Sequence, residues 1–205
     1  MVSQRLVLAT RNVGKVKELR RILADLTSNQ NETIELLSAD DFGLDDVEET
    51  GDTFAANALI KARAVAEATG LPAIADDSGL CVDALNSMPG IFSARWSGKH
   101  GDDRANLELL LGQLSHVPED RRSAHFACAA ALVMPGVAEI VEEGRIFGHL
   151  ISHPRGSGGF GYDPIFVPTG LDQTMAEIGA DEKDAISHRG VAFRALAPHV
   201  TRLFI

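Results

Sequence analysis

Two cysteines are all that the 205 residues carry, Cys81 and Cys128, and each sits in an apolar setting (GLCVDAL, HFACAAAL). They read as buried, reduced thiols, and the lack of any CxxC or Cys/His ligand spacing argues against a zinc site. Long hydrophobic runs are missing too. The longest, roughly 126–134, is too short to span a bilayer, and MVSQRLVLAT at the N-terminus holds no stretch suited to a signal peptide. The expectation is a soluble cytoplasmic protein. Positive charge is scarce: 19 Lys and Arg stand against 29 Asp and Glu, a formal net charge of -10. That balance repels nucleic-acid polymers and anionic membranes, but a small anionic substrate needs only a local cluster of Lys and Arg. No serine sits in a GxSxG setting, which leaves seryl hydrolase chemistry without support. Repeats and linkers are absent as well, so residues 1–205 read as a single domain.

What is present is ordinary globular composition, 45% hydrophobic and 23% charged, in a chain long enough for a sizeable core. Arg5 to Ala9 reads as a buried strand that gives way to a helix over 14–25, where Val16, Leu19, Ile22 and Leu23 keep helical spacing. Ile34 to Leu37 is a second strand, and DDFGLDDVEETGD an acidic connection. A helix over Thr53–Thr69 follows, with Asp52 or Thr53 as its cap and Gly70-Leu71-Pro72 as its stop. The run Leu71 to Ala75 reads as a strand ending at Asp76-Asp77, then a turn and a short strand from Leu80 to Ala84. Asp102 to Leu114 reads as a capped helix. Ala124 to Met134 and Glu139 to Phe147 form an antiparallel pair across Pro135-Gly136, and Val191 to Leu203 a closing helix. Alternating elements followed by paired long strands argue for a mixed α/β sheet.

Five stretches can carry chemistry, and each has a plain structural alternative. ATRNVGK (9–15) lies between a strand and a helix, where free N–H groups and Lys15 suit a phosphate. It departs from a Walker A loop at Ala9 and Val16, so taken alone it fits an ordinary strand-to-helix turn better. VEETGDTFAANALIKA (47–62) sets Glu48 and Glu49 before a helix, on which Asn57 and Lys61 share a face among apolar residues. Dipole compensation and a solvated lysine are the plain readings. IADDSG (74–79) supplies acceptors without donors, as Mg²⁺ prefers, or else forms an Asp-bonded turn. GSGGFGYDPIF (156–166) offers close backbone approach and rings that can stack on a base, or a hairpin with an aromatic plug. EKDAISHRG (182–190) clusters Lys183, His188 and Arg189 in an acidic chain, although a lone histidine is commonly a structural hydrogen-bonder.

Taken in order, LATRNVGKVKEL, EETGDTFAANALIKA, PAIADDSGLCVDAL with PGIFSARWSG, GGFGYDPIF and EKDAISHRG resemble the inosine triphosphate pyrophosphatase family, from Leu6 to about Leu196. The resemblance implies an elongated mixed α/β sheet flanked by helices, two lobes with a central cleft, and a homodimer. It implies Mg²⁺-dependent cleavage of non-canonical purine nucleoside triphosphates (dITP, ITP, XTP) to the monophosphate and pyrophosphate. By position, the phosphate loop falls on Thr10, Arg11, Asn12, Val13, Gly14 and Lys15, and the helix lysine on Lys61. The metal-binding glutamate falls on Glu49, and the aspartate serving as metal ligand and proton acceptor on Asp77, with Asp76 beside it in the metal set and Ser78 a substrate contact. Base recognition falls on Phe160, Gly161, Tyr162 and Asp163, on Lys183, and on His188 with Arg189. Arg11 stands where many members carry glycine, and Asp52 adds an acid beside Gly51; the resemblance gives neither a role.

These implications agree with the chemistry of the residues. Phosphoanhydride hydrolysis needs charge neutralisation and a positioned water more than covalent catalysis. Two other classes stay in view: a non-catalytic nucleotide sensor, which would need the cations and the ring but not the carboxylates, and a sugar-phosphate phosphatase, which would release orthophosphate.

Overall fold

A computed structural model describes residues 4–10, 16, 21 and 34–202. The expected loop at Arg11, Asn12, Val13, Gly14 and Lys15 lies outside the described residues. So does most of the helix expected over 14–25, of which Val16 and Arg21 are seen, both helical.

The fold is mixed α/β. Seven strands, β1 (Gln4–Leu8), β2 (Ile34–Ser38), β3 (Ala73–Val82), β4 (Met88–Pro89), β5 (Ser123–Met134), β6 (Ala138–Leu150) and β7 (Phe166–Pro168), belong to one sheet of order β2-β1-β3-β5-β6-β7, with β4 on β3. β1 pairs in parallel with β2 and with β3, while β3–β4 and β6–β7 are antiparallel. The longer helices are α1 (Phe54–Thr69), α2 (Asp103–Gln113), α3 (Ala180–Ile186) and α4 (His188–Arg202). Among the described residues no helix is long and apolar enough to cross a membrane.

Two compact units make up the chain. The first takes residues up to Asp77, Cys128–Gly144 and the chain from Arg189; the second takes Ser78–Ala127 and Arg145–His188. Within the first, strand alternation sorts the core into two faces. Leu6, Leu8 and Ile74 pack with Ala192, Phe193, Leu196 and Val200 of α4. Val7, Ala73 and Ala75, from the alternate positions, pack with Ala58, Ala62, Val65 and Ala66 of α1. Alanines dominate this second face, so α1 approaches the sheet closely. Its start is capped by Thr53, whose side chain accepts from Ala56 N, and it ends at Gly70 in the left-handed region (φ 67°) with its N–H on Ala66 O. Such an N-cap is worth about 1 kcal/mol. The second unit has its own core, with Leu80, Val82, Phe126, Leu150, Ile165 and Phe166 packed against Leu107, Leu110 and Leu114 of the α2 region. Both cysteines are buried and outside any disulfide, as expected.

Three of the differences from the sequence expectation bear on the site. β3 does not end at Asp76-Asp77; it runs unbroken for 10 residues and absorbs the short strand expected from Leu80. Turn-forming residues are overridden here because the carboxylates find partners and Gly79 fits against the neighbouring segment. A Cβ on Gly79 would lie 2.3 Å from Gly90 O and 2.5 Å from Ser93 Oγ. α4 begins at His188 rather than Val191. The short helix α3 was not anticipated, since its seven residues are too few for a clear periodic signal.

Candidate active site

The alternation that sorts the first unit's core also separates the two adjacent aspartates. Asp77 continues the parity of Ala73 and Ala75 and faces α1; Asp76 continues that of Ile74 and faces α4. Each then meets its own donor. Asn57, fully buried on α1, donates from Nδ2 to Asp77 Oδ2 at 3.0 Å. One helical turn on, Lys61 Nζ stands 3.7 Å from Asp77 Oδ1 and donates to Glu49 Oε1 at 2.6 Å. Asp76, with no exposed side-chain surface, receives Arg189 Nε at 3.3 Å. Without that pair its desolvation would cost several kcal/mol.

Glu49 reaches Lys61 from an extended connection tied to the same helix, for Gly51 N donates to Asn57 Oδ1 at 2.8 Å. Burial pulls the Lys61 pKa down, yet the charges of Asp77, Asp76 and Glu49 and the Glu49 hydrogen bond outweigh it, and the value ends raised. Two carboxylates from distant segments therefore converge on one cationic point. Hard divalent cations take carboxylate oxygens, often from only one or two protein side chains plus a phosphate, and Glu49 with Asp77 fits that demand. Among the described residues no group of three His, Cys, Asp or Glu side chains converges further. Asp76, expected in the metal set from adjacency alone, is directed to the other side of β3. Thr10 follows β1, half-buried, next to the point where Ala9 N donates to Ile74 O.

The second unit gathers the remaining candidates around one buried ion pair. Lys183 of α3 donates to Asp163 Oδ2, which also accepts from Phe160 N at 2.8 Å. The Lys183 ammonium lies 5.2 Å from the centre of the half-buried Phe160 ring, within cation–π range. Gly159 makes this packing possible. Its φ of +72° suits glycine, and a Cβ there would fall 2.2 Å from Asp163 Oδ2 and 2.8 Å from Lys183 Nζ. Gly161 N donates to Asp103 Oδ2 at 2.9 Å, and beside Phe160 a cavity of about 500 Å³ opens between this loop and α2. Ser78, half-buried, is the first residue that β3 contributes to this unit.

Two expected contacts sit differently from a simple stacking platform. Tyr162 is a core residue whose hydroxyl donates to Ser93 O at 2.9 Å, and burial, with Asp103 adding to it, drives its pKa well above the usual range. His188 is buried with its ring stacked on Phe126, centroids 4.9 Å apart and planes 11° from parallel. The structure thus brings Glu49, Lys61 and Asp77 together, and separately Phe160, Asp163 and Lys183, while Arg189 joins Asp76. Asn57 was the residue missed as a site member. Its position four before Lys61 was the available signal.

Comparison with known proteins covers almost the same span as the five stretches. A model of the Ham1 family matches residues 6–199. The chain is 60% identical over 200 residues to the dITP/XTP pyrophosphatase of Streptomyces coelicolor, covering 97% of this chain and 98% of that one. A HAM1 protein from Coxiella burnetii superposes with a TM-score of 0.86 at 41% identity, over 97% of this chain and 99% of that one. The nucleoside-triphosphatase, or dITP/XTP pyrophosphatase, of Mycobacterium abscessus does so with a TM-score of 0.76 at 52% identity, covering 95% and 100%. Matched in sequence and in backbone over nearly its whole length, the chain belongs to the Ham1 family.

Proposed function

We propose that the protein is a nucleoside triphosphate pyrophosphatase that hydrolyses dITP, XTP and ITP to the monophosphate and pyrophosphate, with both units forming one catalytic domain. The observation that supports this most is the convergence of Glu49 and Asp77 on Lys61. A nucleotide sensor would have no use for two carboxylates, Asp77 buried and Glu49 half-buried, held beside a cation. Relatives named dITP/XTP pyrophosphatase support the same reading. Mg²⁺ would be held by Glu49 and Asp77 and would supply neutralisation of phosphate charge. The reading also includes a cytoplasmic homodimer.

In this scheme Asp77 accepts a proton from a water as its oxygen attacks the α-phosphorus. The bond from that phosphorus to the bridging oxygen breaks, and pyrophosphate leaves with the electron pair. Lys61 offsets charge on the phosphates, as do Thr10, Asn12 and Lys15 with the neighbouring amides at Arg11, Val13 and Gly14. Ser78 contacts the substrate. Phe160 stacks on the purine, framed by Gly161, Tyr162 and Asp163. Lys183, His188 and Arg189 donate to the 6-carbonyl of hypoxanthine or xanthine, and adenine's amine leaves those donors unpaired. The carboxylates of Asp163 and Asp76 orient the Lys183 and Arg189 head groups.

The test is a substrate panel of dITP, XTP, ITP, GTP and ATP with Mg²⁺, with and without EDTA, read by phosphorus NMR. Pyrophosphate from the first three, suppressed by EDTA, is the expected result. Orthophosphate instead would indicate a phosphatase, and no product at all a binding protein.

A further inference from the structure

We infer that Asn57 is the positioning residue of this site, dividing the labour between the two oxygens of Asp77. The inference rests on the pyrophosphatase reading above and extends it to a side chain with no assigned role. Gly51 N–H can only donate, so the Asn57 atom 2.8 Å from it is the carbonyl oxygen. That fixes the amide orientation and turns the NH₂ group toward Asp77, where it meets Oδ2 at 3.0 Å. The buried side chain therefore has one orientation available, and Oδ2 is the oxygen held. Oδ1 is left on the side of Lys61 and Glu49. Oδ1 is accordingly the oxygen that would meet a metal held between Asp77 and Glu49.

The same amide sets the reach of Glu49. Gly51 lies two residues beyond Glu49, and the connection comes so close to α1 that a Cβ on Gly51 would lie 2.7 Å from both Ala56 Cβ and Asn57 Oδ1. One side chain thus pins both carboxylate-bearing segments, the strand through Asp77 and the connection through Gly51. A carboxylate that could rotate, or a connection that could drift, would lose the convergence on Lys61. Partners of metal-binding carboxylates commonly act in this way, and their removal costs roughly tenfold to a hundredfold in metal affinity or activity.

Two variants separate positioning from mere support. Asn57→Asp is nearly isosteric and keeps the acceptor for Gly51 N but loses the donor to Asp77; Asn57→Ala loses both. Both variants are expected to lower kcat on dITP roughly tenfold to a hundredfold, with KM changed less than about threefold. Both variants should lower the thermal midpoint, Asn57→Ala through the lost hydrogen bonds and Asn57→Asp because it sets a second buried carboxylate against Asp77. Mn²⁺ binding to the nucleotide-free protein, read by electron paramagnetic resonance, should weaken about tenfold in Asn57→Ala. Wild-type kcat in Asn57→Asp, or unchanged Mn²⁺ affinity in Asn57→Ala, overturns the inference. If Asn57→Ala does not fold, Asn57→Asp decides on the kcat and KM split. If the wild type releases no pyrophosphate, the functional reading fails, and the Mn²⁺ arm still decides for or against the clamp.

Discussion

The two units bury charge in different ways. In the first, acids predominate: Glu49, Asp76 and Asp77 face Lys61 and Arg189, and a neutral amide, Asn57, donates to Asp77 Oδ2. In the second, Asp163 pairs with Lys183 beside an aromatic ring, and buried Arg122 is held by the backbone carbonyls of Val117 and Leu114. A site rich in anions suits a cation and a water to be deprotonated. An oriented donor beside a ring suits a flat heterocycle with a carbonyl. Reaction and selectivity should therefore come apart when each unit is altered in turn.

Asp77→Asn should give the largest effect. Removing the proton acceptor while keeping its shape should lower kcat on dITP roughly 10²–10⁴-fold with the unfolding midpoint nearly kept. Turnover at the wild-type rate would remove Asp77 from the chemistry. Lys183→Met should do the converse, leaving hydrolysis measurable while the ratio of kcat/KM for dITP over dATP drops at least about tenfold. If the ratio holds, Lys183 does not read the base. Should Lys183→Met abolish all turnover while keeping its fold, the division between the units would be wrong as stated.

How much of this was legible in the sequence follows from the range of each interaction. The alternation Leu6-Val7-Leu8, the Thr53 cap and the Gly70 stop are local, and the elements appear where the pattern places them, within a residue or two. The β5–β6 hairpin is local too, with Val137 N on Met134 O after Pro135-Gly136. What misled was IADDSG, because Asp, Ser and Gly favour turns when judged by their neighbours alone. The strand continues since Asp76 finds Arg189, 113 residues away, and Asp77 finds Asn57, 20 residues away. Nothing within the stretch reports either partner. Lys61 and Glu49 were readable from helix periodicity and from the resemblance. The separation of Asp76 from Asp77 needed the strand to be seen whole.

Gly159→Ala sharpens the comparison from the second unit. Positive φ in a residue with a Cβ costs roughly 1–2 kcal/mol, before the approach to Asp163 and Lys183 is counted. A fall of roughly 3–8 °C in the thermal midpoint is expected, with poorer discrimination between dITP and dATP. An unchanged midpoint and ratio would mean the loop tolerates the methyl and the pair is loosely held.

The smallest effect concerns pH, and here the units should weaken at opposite ends of the scale. In the first, Lys61 has a pKa raised above 10.5, because acidic neighbours outweigh burial. A cation favoured by folding contributes stability that is complete below 10.5 and disappears as pH climbs through the raised value. In the second, burial lowers the pKa of His125 below 6.5, Arg145 adds to that, and Asp83 opposes it. Its ring also lies 5.4 Å from that of the exposed Phe147. Here folding disfavours the charged form, so the contribution is complete above 6.5 and is lost as pH falls through the lowered value. Urea midpoints measured against pH should show Lys61→Met with less alkaline loss than wild type. His125→Gln should be flatter on the acid side of 6.5. The acid effect is the weaker, because His125 is partly exposed and water screens it. Were His125→Gln to lose stability on acidification as wild type does, the acid sensitivity would belong to paired carboxylates, and Asp76 with Arg189 would be the pair to alter next.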